Sequence, residues 1–184
     1  MNADQLLQNI LNDLRVELTE EFDRNFERKA FFSKKWKDRK LDGNGSLLNV
    51  KGGGGLRGSL KATVSGRGLR FTSSLPYAQI HNEGGKIKIT PKMQRFFWAK
   101  YYEYSGAVSF KKTGTQGQNK RNIKLSKEAE LYKSLALKKV GDYIVIPKRQ
   151  FIGHAPEVDK AVKDVIEDNL KQFEKELKQR LKQK

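Results

Sequence analysis

The stretch Leu75-Pro76-Tyr77-Ala78-Gln79-Ile80-His81-Asn82-Glu83-Gly84-Gly85 constrains this chain more than any other. It holds the first of four prolines, one of only two histidines and a glycine pair. Pro76 fixes its own φ and biases Leu75 towards extended backbone, so a strand must end there. Tyr77, Ala78, Ile80 and His81 fit a single helical turn or a tight, partly buried corner. Gly84-Gly85 admits positive φ and lets the chain reverse into Lys86-Ile87-Lys88-Ile89. The reading is a corner between two elements, held by Tyr77 and His81.

His81 invites a catalytic or metal-binding role, but the rest of the chain does not support one. A metal needs three or four ligands, whereas the chain has no cysteine and only one other histidine, His154. No G-x-S-x-G elbow offers a nucleophile. A packed corner histidine, bonded to backbone, is the simpler role.

The corner is flanked by regular patterns. Leu60, Ala62 and Val64 alternate with Lys61, Thr63 and Ser65. Leu69, Phe71, Ser73 and Leu75 alternate with Arg70, Thr72 and Ser74. Gly66-Arg67-Gly68 between them makes a β-hairpin with one apolar face. Leu7, Leu11, Leu14, Leu18, Phe22 and Phe26 recur at steps of three and four, which predicts a long amphipathic helix over residues 3–30. A second one follows Pro156, with Val158, Val162, Val165, Ile166, Leu170, Phe173, Leu177 and Leu181 on its apolar face.

Between the corner and the last helix lies a less regular region. Ile87 and Ile89 start a strand that Pro91 limits. Residues 92–104 carry Phe96, Phe97, Trp98, Tyr101, Tyr102 and Tyr104 on more than one side of a predicted helix, which is therefore sandwiched or part of an interface. Residues 105–122 are polar and basic and read as a mobile loop. Ser126 is the expected N-cap of a further helix running to Lys139 and closed by Gly141. Segment 91–140 thus reads as a helical hairpin inserted between two strands. Asp142 to Ile146 makes the returning strand, which Pro147 ends. Arg149 projects from the tight loop that follows, Phe151 plugs the core and Gly153 permits a turn. Arg149 is expected to pair internally, for example with Glu83, or else to serve a partner.

Four of these elements together carry a resemblance. Phe31 and Trp36 fit "F-x-x-x-x-W". Leu47-Leu48 with Leu56 and Ser59 fits "LL…G-x-L-x-x-S", expanded by the glycine run 52–55. Pro76, Tyr77, Ala78, Ile80, His81, Gly84 and Gly85 fit "PYA-x-IH-x-x-GG". Pro147, Arg149, Phe151 and Gly153 fit "IP-x-R-x-F-x-G". In this order they resemble the phage virion morphogenesis family, the tail completion proteins of tailed bacteriophages. The resemblance implies one α+β domain over residues 1–184, a small antiparallel sheet packed by long N- and C-terminal helices. It also implies a structural role in tail completion or head–tail joining, in a homo-oligomeric ring. The implied partners are other neck and tail proteins: a connector or adaptor ring, a tail terminator or tube. The implied location is the virion tail or neck, with the host cytoplasm during assembly. A tail terminator is a further variant of the same role. No cofactor, metal or catalysis is implied.

Charge leaves a second reading open. The net charge is +17, and it is uneven. Residues 1–30 carry a net −3 and residues 31–100 a net +12. A basic centre suits an anionic partner, either nucleic acid or an acidic protein surface. Arg95, Trp98, Lys111, Lys112, Lys120 and Arg121 are the candidate contacts to DNA in a channel or to a neighbouring ring. Against a dedicated nucleic-acid-binding module stands the lack of any helix-turn-helix, zinc-finger or RNA-binding signature. The Gly52–Gly55 run beside Lys51 lacks the spacing of a phosphate loop. An enzyme would have to bring His81 and Glu83 together with Asp142 or Glu103, and nothing in the sequence does so. No apolar run approaches the ~18 residues that span a bilayer, and residues 1–5 lack a signal peptide's basic start. No membrane partner is therefore expected, and synthesis and use in the cytoplasm are.

Overall fold

The computed structural model describes residues 2–38, 48, 55–110 and 112–182. They form two compact units. One draws on residues up to 36, on 48 and 55–83, and on 148–182; the other draws on 37, 38 and 84–147. The class is α+β. Its strands lie in three two-stranded antiparallel ribbons.

The first unit is built on helix α1, Ala3–Arg28. Asn2 and Gln5 close a reciprocal capping box at its start: each backbone N–H donates to the other's side chain at 2.8 Å. Leu11, Leu14, Leu18, Phe22 and Phe26 are buried along one stripe, as the periodicity predicts. Lys29 ends the helix in the left-handed region. Strands β1 (Ala30–Phe31) and β2 (Lys34–Lys35) then fold the chain back, and Trp36 N–H donates to Lys29 O at 2.8 Å.

A single turn, α2 (Leu56–Ser59), leads into the hairpin of β3 (Leu60–Ser65) and β4 (Gly68–Ser73). Its register pairs Ser65 with Gly68, so Gly66-Arg67 is a two-residue turn, with Gly66 at φ +61°. The expected alternation holds, with Ala62, Val64, Leu69 and Phe71 half-buried and Lys61, Thr63, Arg70 and Thr72 exposed. One helical turn, α3 (Ala78–Glu83), follows Pro76. The last helix, α6 (Pro156–Lys182), packs along α1. Towards its end Leu170, Leu177 and Leu181 are exposed.

Two apolar clusters hold this unit. In one, Phe26, Trp36, Leu56 and Phe151 meet, flanked by Leu48, Leu60, Leu75, Ala78 and Ile152. In the other, Leu18, Phe22, Phe31 and Ala155 pack with Phe71, Val158, Ala161 and Val162. The aromatic rings meet edge-on, Phe26 to Trp36 at 5.7 Å and Phe22 to Phe71 at 5.0 Å.

In the second unit, β5 (Gly85–Lys88) pairs with β6 (Tyr143–Ile146). Buried Ile89 extends that pairing by exchanging backbone bonds with Asp142 and Gly141. Thr90 caps α4 (Pro91–Gly106), with Pro91 at its first position. Helix α4 packs antiparallel on α5, Lys120–Ala136. Between them Tyr132 stacks on Tyr104 at 5.5 Å and meets Phe96 and Phe97.

Here the structure corrects two expectations. Helix α5 starts at Lys120, capped by Asn119 and not by Ser126. It ends at Ala136, where the Gln94 amide donates to Ala136 O and Lys138 O, so Gly141 turns into β6 instead of closing the helix. The segment before α5 is also anchored. The buried Asn122 side chain accepts from Ser109 N–H and donates to the carbonyls of Ser109 and Gly117.

Two outcomes follow from this packing. Phe151→Ala empties the centre of one cluster and should cost about 3–5 kcal/mol in a urea unfolding curve. Burial pushes the Tyr104 and Tyr132 phenols above their ordinary pKa, with Glu128 adding to the effect at both. The folded state then holds these protons more tightly than the unfolded chain, whose tyrosines titrate near about 10. Stability is unaffected by them below that pH and falls as pH rises above it. Tyr132→Phe should shrink this alkaline loss in thermal melts taken across the range.

Candidate functional site

Residues 147–155 lie in no helix or strand, yet Arg149, Phe151 and Ala155 are buried. Their backbone polar groups need partners other than a ladder, and these come from three distant parts of the first unit. Arg149 N–H donates to His81 O at 2.8 Å. Phe151 N–H and Ile152 N–H both donate to the Asn82 side-chain oxygen, at 3.0 and 3.2 Å. The Trp36 indole N–H donates to Gln150 O at 2.6 Å. The Asn25 amide donates to Phe151 O at 3.2 Å, while its oxygen accepts Phe32 N–H at 2.9 Å. Asn25 is completely buried in α1. Its second bond holds Phe32 in a left-handed conformation, φ +51°, which is unfavourable for a phenylalanine.

The four motif elements thus converge. Trp36, Leu56 and Phe151 share one cluster, and Ala78 packs against it. Ser59 is buried, with its hydroxyl 2.9 Å from Leu56 O and 2.7 Å from the Ser73 hydroxyl, which also accepts Leu75 N–H. Ile80 and His81 are half-buried, with the Tyr77 ring edge-on to His81 at 6.0 Å. Tyr77 itself is 42% exposed and Pro76 is on the surface, so the corner is held by Asn82 and the His81 carbonyl more than by Tyr77. Arg149 does not project; it is 7% exposed. Gly153 sits at φ +136°, which only glycine adopts readily. Gly84, at φ +76°, with Gly85 and Pro147, lies where the chain enters and leaves the second unit.

Sequence reasoning missed Asn25 and Asn82. Asn25 had a signal: it stands three residues after Phe22 on the apolar stripe, a polar residue where a hydrophobe is expected. Asn82 carried none.

The candidate contact residues do not form one patch. Arg95 and Trp98 share a side of α4 with Tyr102, onto which Trp98 stacks at 6.0 Å. Gln94 reaches the end of α5, so Arg95 lies at one end of the helical hairpin. Lys112, Lys120 and Arg121 are exposed at the opposite end, about 16 Å away at 1.5 Å per helical residue. Lys111 lies outside the described residues, as do Leu47, Lys51 and Gly52–Gly54.

The carboxylates weighed for acid–base chemistry are engaged locally. Glu83 accepts from Gln79, Glu103 pairs with Lys100 at 2.6 Å and Asp142 accepts Lys139 N–H. Among the described residues no group of three or more His, Asp or Glu is placed to hold a metal ion, and no helix is long and apolar enough to cross a membrane. Elsewhere, Arg57 forks onto Asp23 and also bonds Glu27 at 2.7 Å, ties that raise its pKa further and fasten α2 to α1.

A comparison with protein-family models matches residues 5–171 to the phage virion morphogenesis family, a span that contains all four motif elements. The chain belongs to the phage virion morphogenesis family. This is a structural family of phage assembly, which makes the chain a virion-associated protein whose partners are other phage virion proteins. No curated protein and no solved structure matches the chain.

The convergence has a measurable consequence. Asn82→Ala leaves two buried N–H groups without their acceptor and should cost about 2–4 kcal/mol. Trp36→Phe keeps an aromatic side chain but loses the indole N–H, strands the Gln150 carbonyl and should cost about 1–3 kcal/mol. Both are read from denaturant unfolding, and equal stability to the parent chain would contradict the arrangement.

Proposed function

We propose that this family member completes the tail or joins head to tail, acting as one copy in a homo-oligomeric ring of the neck. The observation that carries the reading is the use made of the motif residues. Trp36, Leu56, Ser59, Ala78, Phe151 and the His81 carbonyl are all used to hold the fold together. Such a scaffold suits a part whose work is done by its outer surfaces, and no catalysis is required of it. Connector or adaptor ring, terminator and tube are the proposed neighbours, and the tail or neck is the proposed location.

We also propose that the chain is one tail-completion domain with 91–140 inserted. In support, the segment leaves and rejoins through paired ends: at the close of the β5–β6 ladder Ile89 N–H donates to Asp142 O at 2.8 Å and Gly141 N–H donates to Ile89 O at 2.9 Å.

One observation favours a nucleic-acid contact as a second reading. Tyr102 is 64% exposed and stacked on Trp98, with Arg95 on the same side of α4. An exposed tyrosine ring stacked on a half-buried tryptophan, beside a cation, suits unpaired bases. If DNA binds there, Trp98→Ala should weaken binding to a single-stranded oligonucleotide by about tenfold.

Electron microscopy of particles from a phage lacking the gene tests the main reading. Separate full heads and finished tails of normal length are the expected result. Tails of uncontrolled length would indicate a terminator. Intact, infectious virions would overturn the structural role.

A further inference from the structure

The β5–β6 ribbon presents an uncovered face. Lys86 lies opposite Val145 and Lys88 opposite Tyr143, so these four side chains share one side of the ribbon. All four are exposed, Val145 at 67% and Tyr143 at 55%. The preceding turn adds exposed Leu137 and Val140, with Lys138 and Lys139 between them. This is an apolar centre in a basic setting, on a segment whose charge is strongly positive.

The first unit carries the converse surface. A groove along α1 and α6 has Phe32, Ala161 and Val165 among its walls. Five carboxylates border it, Glu17, Glu21, Glu157, Asp164 and Asp168, against two cations, Arg28 and Lys160. Arg28 is already bonded to Glu21 at 3.3 Å. Asp164 and Asp168 are exposed one helical turn apart, with Asp168 also reaching Lys171 on the same helix at 3.1 Å through a solvent-exposed pair.

We propose that the occupant of the ribbon face is the α1–α6 groove of a second copy of this chain. Tyr143 and Val145 meet the apolar wall, and Lys86 and Lys88 meet Asp164 and Asp168. The argument is complementarity in both respects: apolar against apolar, and a basic border against an acidic one. The two surfaces differ, so each contact leaves one ribbon and one groove unfilled, and copies add head to tail until the rotation closes. The inference names the surfaces that would join copies in the ring proposed above and rests on that reading for its setting. Its test needs no phage, so the two can fail separately.

Sedimentation velocity of the full chain, over a wide concentration range at low and high salt, reads the contact. The expected result is concentration-dependent association that weakens with salt. The double variants K86E/K88E and D164K/D168K should each weaken it by about tenfold or more. The chain carrying all four substitutions should associate again, since the charges are exchanged across the same contact. Circular dichroism checks that each variant folds, as expected for exposed positions. A parent chain that stays monomeric throughout would overturn the proposal. So would association that neither double variant weakens, or that the fourfold variant does not recover.

Discussion

The fold depends on how residues 149–152 are satisfied. A buried irregular segment cannot draw on a helix or sheet for its hydrogen bonds, and every orphaned group would cost on the order of 1–3 kcal/mol. Here the partners are the Asn25, Trp36 and Asn82 side chains and the His81 carbonyl. These come from the first helix, the loop after it and the corner helix. The segment therefore fastens residues 25–36 and residues 81–82, regions far from it and from each other in sequence, with Phe151 as the apolar centre of the same junction.

This explains why the signature was legible before its meaning was. Hydrophobic period alone marked α1, α6 and the β3–β4 hairpin, since each buries one regular face. The corner was legible from Pro76 and the glycine pair, and Phe151 as a core residue from its place after a strand-ending proline. What period cannot reveal is a polar residue working inside the core. Asn25 and Asn82 act through bonds to residues 126 and 69 positions away, and no local pattern encodes those. Arg149 is expected to pair internally, and its burial agrees with that direction, but the bond from its backbone to the His81 carbonyl is long-range and has no local signal. The start of α5 was a contest between two good capping residues. Asn119 prevails over Ser126 in company with Asn122, which bonds back to Ser109 and Gly117 and gathers the preceding segment against the helix.

The two units divide the work. The first spends its motif residues on its own integrity. The second holds its helical hairpin by the Tyr104–Tyr132 stack and by Gln94 reaching the end of α5. That economy leaves Tyr102, Val145 and Tyr143 uncovered, with lysines beside the last two. Membership of a structural family of phage assembly agrees with this division, in which a bonded scaffold carries surfaces for other virion proteins.

Native-state hydrogen exchange tests the central claim most directly, because it reads the amides of the junction one by one. Arg149, Phe151 and Ile152 stand outside regular secondary structure, so any strong protection must come from the tertiary bonds described above. The account predicts that these amides, with that of Phe32, exchange only through global unfolding, as slowly as the buried core of α1. Exchange as fast as in the Gly66-Arg67 turn would show that the junction opens locally, and would contradict the account.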